Sequence, residues 1–264
     1  MAAPNRYAIR DVATATFYSL VSPYNAIVTL PTLKTSGVQT KSSTVYARGG
    51  SGNVKIVGFS SDKESTITLQ DSIFDNLLIA QLTGNAITTG VTTVDQIYVG
   101  TITSTSHTIT IPNKVKSITS VYLLDTDGVT NKTLLAVDAA ATEGTKYSIA
   151  GQVITTAETS TMNVRVYYKA DTDATAKTIK VTSDAFGGSF KLVLDCLVRD
   201  EATKADFEAQ LVIFNGKVED DWSMEFKADG DPSVIDLKVE VLKNPLNTDM
   251  WQLIIYDESL IPTS

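Results

Sequence analysis

The sequence predicts a mainly β protein: a sandwich or barrel with one short helix, plus a small inserted β-sandwich. Three observations carry this. Alternating polar and apolar segments recur along most of the 264 residues. Helical periodicity occurs once, just after Leu69. Between about residues 101 and 180 the composition shifts to Thr, Ser, Ala, Val and Tyr in short runs split by turn signals. That region reads as an immunoglobulin-like (Ig-like) insert. The two flanks, 1–100 and 181–264, read as one discontinuous β domain.

In the first flank, strands are predicted at Asn25–Leu30, Val54–Phe59 and Ser65–Leu69. Pro31 and the Thr/Ser-rich Thr35–Thr44 read as a loop. Ala47–Asn53, with Gly49, Gly50 and Gly52, reads as a turn. It is no phosphate loop, because it lacks the GK[ST] ending and leads into a strand. Ile67 and Leu69 then share one strand face. After them Ile73, Phe74, Leu77, Leu78, Gln81 and Leu82 fall at helical spacing and form an apolar stripe. Asp71 or Ser72 is expected to cap this helix, with Asp75 completing a capping box, and Gly84 to end it. Such a lone helix either covers the open end of its own sandwich or docks between neighbouring subunits.

The insert is predicted to hold strands at His107–Ile111, Ser120–Leu124, Thr133–Val137, Lys146–Ile149, Val153–Thr156 and Asn163–Tyr168. Its turns are Pro112-Asn113, Asp125-Thr-Asp-Gly128, Glu143-Gly144 and Gly151. The Asp-x-Asp-Gly run lacks the later ligands of a calcium loop and reads as a hairpin turn. In the second flank, Phe190–Val198 is nearly all apolar, as in a strand buried on both faces. Phe207–Phe214, Trp222–Ala228, Ser233–Leu242 and Trp251–Tyr256 follow, with a turn at Asp229-Gly-Asp-Pro232. In Ser233–Leu242, Ile235, Leu237, Val239 and Val241 oppose Asp236, Lys238 and Glu240.

Composition narrows the function. Apolar residues make up 43% and charged residues 20%, ordinary for a globular protein. Net charge is −8, and it is uneven: 16 acidic against 6 basic residues lie between Asp195 and Glu258. That argues against gripping DNA by its phosphates. It fits either a solvated acidic face or a surface past which DNA slides without sticking. Met1–Tyr7 lacks a signal-peptide layout, and the apolar runs are shorter than the roughly 20 residues that span a bilayer. A soluble protein of a reducing compartment is expected, so the Asn131-Lys-Thr133 sequon carries no weight.

No constellation promises catalysis. Cys196, the single cysteine, sits in an apolar run and reads as a small buried hydrophobe; His107 is the single histidine. These two cannot supply a usual zinc ligand set. Asp220 with Asp221, and Asp229 with Asp231, fall in turn-like sequence. No serine has a nucleophile-elbow context. Trp222, Trp251, Tyr167 and Tyr168 read as core. No enzyme activity, catalytic residue, metal or cofactor is expected.

Several tracts resemble bacteriophage tail tube proteins. Gly58–Gly84 is similar to their G-F-S element, strand and Gln-Asp-x-(Ile/Leu) helix. Arg199-Asp-Glu-Ala-Thr203, Ala209-Gln-Leu-Val-Ile213, Gly230-Asp-Pro-Ser-Val-Ile-Asp236 and Met250-Trp-Gln-Leu-Ile-Ile-Tyr256 resemble the same family. The Thr/Ser/Val-rich middle resembles Ig-like modules inserted in phage structural proteins. The resemblance implies a tail-tube-like fold whose copies form rings, usually hexameric. The rings would stack into a conduit through which DNA passes transiently. It implies tape-measure, tail terminator and baseplate proteins as partners, a sheath in a contractile tail, no membrane, and a place in the virion tail after assembly in the host cytoplasm. Glu208, Asp236 and Glu240 are then the candidate lumen-facing acids. Phe74, Leu77 and Leu78 are the candidate inter-subunit helix residues, with Phe74 and Leu78 expected against a sheet. The rival readings are a capsid decoration or baseplate protein and, more distantly, a carbohydrate-binding β-sandwich.

Overall fold

The computed structural model describes residues 3–141, 143–219, 222–223 and 234–261. The chain is mainly β, with a single α-helix among the described residues. It divides into two compact units: residues up to Ile87 together with those from Ile179 onward, and Thr88–Thr178.

The first unit holds β1 (Tyr7–Ile9), β2 (Thr14–Ser19), β3 (Ala26–Leu30), β4 (Leu33–Gly49), β5 (Val54–Asp71) and α1 (Asn76–Thr83). The second holds β6 (Thr88–Thr89), β7 (Thr93–Ile102), β8 (Thr108–Thr110), β9 (Ser117–Leu124), β10 (Asn131–Val137), β11 (Lys146–Ala150), β12 (Val153–Thr156), β13 (Met162–Asp171) and β14 (Lys177–Thr178). The chain returns to the first unit with β15 (Phe190–Asp200), β16 (Asp206–Val218), β17 (Ile235–Val241) and β18 (Trp251–Tyr256).

The first unit is one curled sheet in the order β3-β2-β15-β16-β17-β5-β4, with β1 on β15 and β18 on β16. Its inner face encloses a core that includes Phe17, Leu30, Ile67, Leu69, Phe190, Leu192, Ile213, Leu237 and Val239. The rings of Phe17 and Phe190 lie 4.7 Å apart. β17 shows why the sheet forms: its residues alternate buried and exposed without a break. Leu237 faces Leu69 and Val239 faces Ile67 across the ladder to β5, the cross-strand apolar pairing that stabilises sheets. In β15, Leu192, Val193 and Leu194 are all buried, so the strand is covered on both faces at its middle.

Helix α1 closes this core. Leu78 and Leu82 are buried in it and Phe74 packs on it, while Leu77 is half exposed. The helix starts later than the capping pattern predicted. Asp71 pairs with both Leu33 and Ile235, so the strand runs on to that residue and the chain turns before coiling. Asp75 is the cap, its Oδ1 accepting from the Leu77 N–H at 2.6 Å. Asp71 instead accepts from the Thr32 hydroxyl and the Ile73 N–H. Gly84 ends the helix in the left-handed region, φ +69°. A Cβ there would lie 2.2 Å from the Phe186 carbonyl oxygen.

Three elements differ from the sequence expectation. Thr35–Thr44 is not a loop but the first half of the 17-residue β4. It pairs with β5 from Leu33↔Asp71 to Gly49↔Val54. Most of it is solvent-exposed, so no buried alternation marks it, and the backbone ladder carries it. Strand β2 has too few alternations to stand out. Strand β7 belongs with the second unit, pairing with β13 over ten residues, so that unit starts at Thr88. The strand expected at Trp222–Ala228 and the turn after it lie almost wholly outside the described residues, as do Asp220, Asp221, Asp229 and Asp231; Trp222 and Ser223 themselves are not in a strand.

The second unit is a seven-stranded sheet in the order β7-β13-β9-β10-β11-β12-β8 around its own core, with Ile102, Ile111, Val121, Ile154, Val164 and Val166 at the centre. All pairs are antiparallel except β10 with β11. Its two ends meet in the small β6–β14 ladder, so the chain enters and leaves at one place, as an inserted module requires.

Leu78→Ala should cost about 2–5 kcal/mol of stability in urea unfolding, because the site is fully buried. Leu77→Ala should stay within about 0.5 kcal/mol. Gly84→Ala should lower the melting temperature clearly. It meets both a backbone conformation that costs about 1–3 kcal/mol for other residues and the Phe186 carbonyl.

Candidate functional site

The most unusual surface of the first unit is the far end of the β4–β5 hairpin. Strand β17 accompanies β5 only from Thr66 to Asp71, and β4 is the last strand of the sheet. Residues 40–49 and 54–65 therefore form a two-stranded ribbon. A bulge at Asp62, φ +50°, marks where it leaves the sheet. The Ser43 and Ser61 hydroxyls donate to Asp62 Oδ2 at 2.6 and 2.9 Å, holding its carboxyl below the usual range. Beyond the bulge Val45 faces Phe59 and Ala47 faces Val57, so these four share one face. Val45 is 62% exposed, Phe59 61% and Val57 48%. On the other face Tyr46 lies over Gly58, with the Lys55 ammonium 3.9 Å from its ring centroid. A long apolar ribbon with an open edge is a liability in an isolated chain.

An apolar hollow of about 430 Å³ opens on the inner face of the same sheet. Leu194, Cys196 and Leu211 form its floor; Trp251 and Leu253 of β18 flank it beside β16, and Ile9, Asp11 and Val12 line it from the β15 side. Its other side is the base of the ribbon, Lys34 to Val38. The Ala13 N–H donates to the Ser36 hydroxyl and ties that base in place.

The three candidate lumen acids share the outer face of this sheet. Asp236 accepts from the Gln70 amide at 2.7 Å. Glu240 lies opposite Lys217 and Thr66. Between them Lys238 pairs with Glu219. Glu208 sits opposite Leu197 and Tyr256, nine residues from Lys217 along β16, or about 30 Å. The structure thus puts the three on one face without gathering them. A tighter group escaped the sequence reading: Glu208 with Asp195 and Glu258. Burial first, then the Glu258 and Asp195 charges, push the Glu208 carboxyl up. The same acids, after burial, raise Tyr256. Asp195 accepts from the Gln210 amide at 2.8 Å. Its signal was available: it is the one charged residue inside Leu192–Val198. Asp206, by contrast, is held low by Arg199 and Arg10, and Arg199 grips it with two hydrogen bonds at 2.7 and 2.9 Å.

The helix candidates divide. Phe74 and Leu78 pack into the core of their own unit, and Leu77 points outward.

The groups considered for chemistry have structural surroundings. Burial, then Asp195 and Glu208, raise the Cys196 thiol, which keeps it protonated and a poor nucleophile. His107 Nδ1 lies 2.7 Å from the Glu158 carbonyl oxygen in the second unit. Asp127 accepts from the Val129 and Thr130 N–H groups and the Thr130 hydroxyl, which lowers it to about 2; this is turn bonding within Asp125–Thr130. Tyr168 is core, while Tyr167 faces outward, its ring edge-on to Tyr122 at 6.1 Å. Among the described residues, no group of three or more His, Cys, Asp or Glu is placed to hold a metal ion, and no helix is long and apolar enough to cross a membrane.

The first unit thus presents a two-stranded ribbon, an open apolar hollow and an acidic sheet face. The family model that matches the chain, over residues 7–254, is that of the YomU/Tube protein family. No curated protein matches it. With nearly the whole sequence covered, the chain belongs to the YomU/Tube protein family, a phage-derived family.

Proposed function

We propose that this chain is the subunit of a phage tail tube. Its copies form rings, taken as hexameric, that stack into a hollow conduit for DNA ejection in the virion tail. The β4–β5 ribbon carries this reading: it is a two-stranded extension of 22 residues that leaves Val45, Tyr46, Val54, Ile56, Val57 and Phe59 exposed, and an exposed edge of that kind is one that another surface would cover. Family membership supports the same assignment. The inserted unit is read as Ig-like, on seven strands around one core.

The outer face bearing Asp195, Glu208, Asp236, Glu240 and Glu258 is proposed to line the lumen. DNA is itself polyanionic, so an acidic wall repels the phosphates and lets the strand slide. Tape-measure, tail terminator and baseplate proteins are the proposed partners, with a sheath around the tube if the tail contracts. A catalytic role forms no part of the proposal.

The purified protein should give rings and tubes in negative-stain electron microscopy as its concentration rises. Discrete oligomers without a central channel would sink the tube reading in favour of a decoration or baseplate role. A lumen face held for DNA passage is also a cost to the isolated subunit. Glu208 has its folded-state pKa raised, so its ionised form is disfavoured at neutral pH and relieved as pH falls through that value. Glu208→Gln should therefore raise Tm at pH 7, with the gain vanishing below about pH 4, where the unfolded carboxyl is protonated too.

A further inference from the structure

We infer that the trough beside Tyr122 and Tyr167, on the outward face of the second unit, binds a neutral oligosaccharide. The inference concerns Thr88–Thr178 alone and stands apart from the tube reading, which is carried by the first unit.

Strands β7, β13, β9 and β10 lie side by side in this unit. Val164, Val166 and Tyr168 of β13 turn into the core, so Arg165 and Tyr167 turn outward. Tyr167 stands opposite Ile97 on one side and Ser120 on the other; Arg165 stands opposite Val99 and Tyr122. Ile97 is 62% exposed and Val99 45%. The two tyrosine rings meet edge-on, their planes 88° apart, and form a corner. The corner is braced. Arg165 donates to Asn131 Oδ1 at 2.8 Å, and Asn131 and Arg165 both engage the Tyr167 hydroxyl. An exposed aromatic pair held in this way is set before a ligand arrives, which lowers the ordering cost of binding. A cavity of about 460 Å³ opens at the corner, within the range of small-ligand sites, roughly 300–1,000 Å³. Amide and hydroxyl groups of Gln96, Thr119, Ser120 and Asn131 share its wall with the rings. A β-bulge puts Thr119 there: Tyr167 pairs with Ser120 but Tyr168 with Ile118, which leaves Thr119 as the extra residue. Bulges re-aim side chains beside sites in this manner.

The lining selects the ligand. A pyranose ring has a carbon-bound face that stacks on an aromatic side chain and a rim of hydroxyls that needs both donors and acceptors. The one charged residue of the lining, Asp95, is already matched by Lys169 at 2.8 Å, so a charged ligand finds no unmatched counter-charge there. A protein surface laid flat on the rings would leave the half-buried Gln96 and Ser120 groups without partners, at a desolvation cost.

Saturation-transfer NMR on the full chain with maltotetraose, cellotetraose and chitotetraose tests this. At least one tetrasaccharide should show transfer, and Tyr167→Ala and Tyr122→Ala should each weaken its binding roughly tenfold. Tyr167→Phe keeps the ring and loses the hydroxyl's bonds, so it should weaken binding less than Tyr167→Ala. Thr119→Arg, at the exposed bulge position, should block the trough while Tm holds, which covers the case of an alanine variant that fails to fold. Phe59→Ser on the ribbon should leave sugar binding unchanged. No transfer to any of the three sugars would overturn the inference. So would transfer that survives Thr119→Arg, since the sugar then sits elsewhere, or a face that takes up polyphosphate or another protein and no sugar. Rings and tubes formed by a Thr119→Arg variant that no longer binds sugar would uphold it, and would show sugar binding and assembly to be separate.

Discussion

The ladder between β5 and β17 is the interaction on which the rest depends. Over Thr66–Asp71 it buries Ile67 and Leu69 against Val239 and Leu237, and it sets which face of both strands points inward. A slip of one residue in either strand would turn its two apolar side chains to solvent. The same strand, without a break, becomes the exposed ribbon after the Asp62 bulge. The core thus anchors the ribbon like a cantilever. The inner half of β5 supplies stability, and the outer half supplies a surface that the described residues leave exposed.

The other end of that strand explains the helix. Asp71 is shared between Leu33 and Ile235 and bonds Thr32 and Ile73, so the chain leaves the sheet at a fixed angle. Asp75 then starts α1 with Leu78 and Leu82 aimed at the core. An apolar stripe of eight helical residues has one strong face. Here that face completes the first unit's own core, and the surface left for neighbours on α1 is Leu77 with its exposed surroundings. The apolar area available to a second subunit therefore lies mainly on the ribbon and around the hollow, not on the helix.

Charge follows the same division between inside and outside. The outer face of the sheet carries acids at both ends of β16 and along β17: Glu219 is paired with Lys238 and Asp206 with Arg199 and Arg10, while Glu208 is raised by burial and then by the Glu258 and Asp195 charges. Asp195 and Glu258 lie near enough to Glu208 to add, after burial, to the upward push on its carboxyl.

Much of this was legible in the sequence, and the failures have a common cause. Period-2 alternation located β17 and the inward face of β16, because half-buried strands write their burial into every second residue. The short helix and its Gly84 stop were visible for the same reason: one apolar stripe and one position needing φ above zero. The shift in composition set the middle of the chain apart, but it placed the start near residue 101 and so missed β7, whose partner β13 lies some 60 residues or more away. What alternation could not show was β4, whose Thr, Ser and Lys residues are exposed on both sides and whose strand exists only because β5 supplies its hydrogen bonds. Nor could it show that Glu208 lies beside Asp195 and Glu258 rather than beside Asp236, since sheet register is a long-range property. The sequence by itself determined a mainly β chain, its core faces and its acidic C-terminal stretch, all consequences of local side-chain chemistry. Tertiary structure alone decided which strand runs out past the core and which carboxylates meet, because both depend on pairings between residues far apart in the chain.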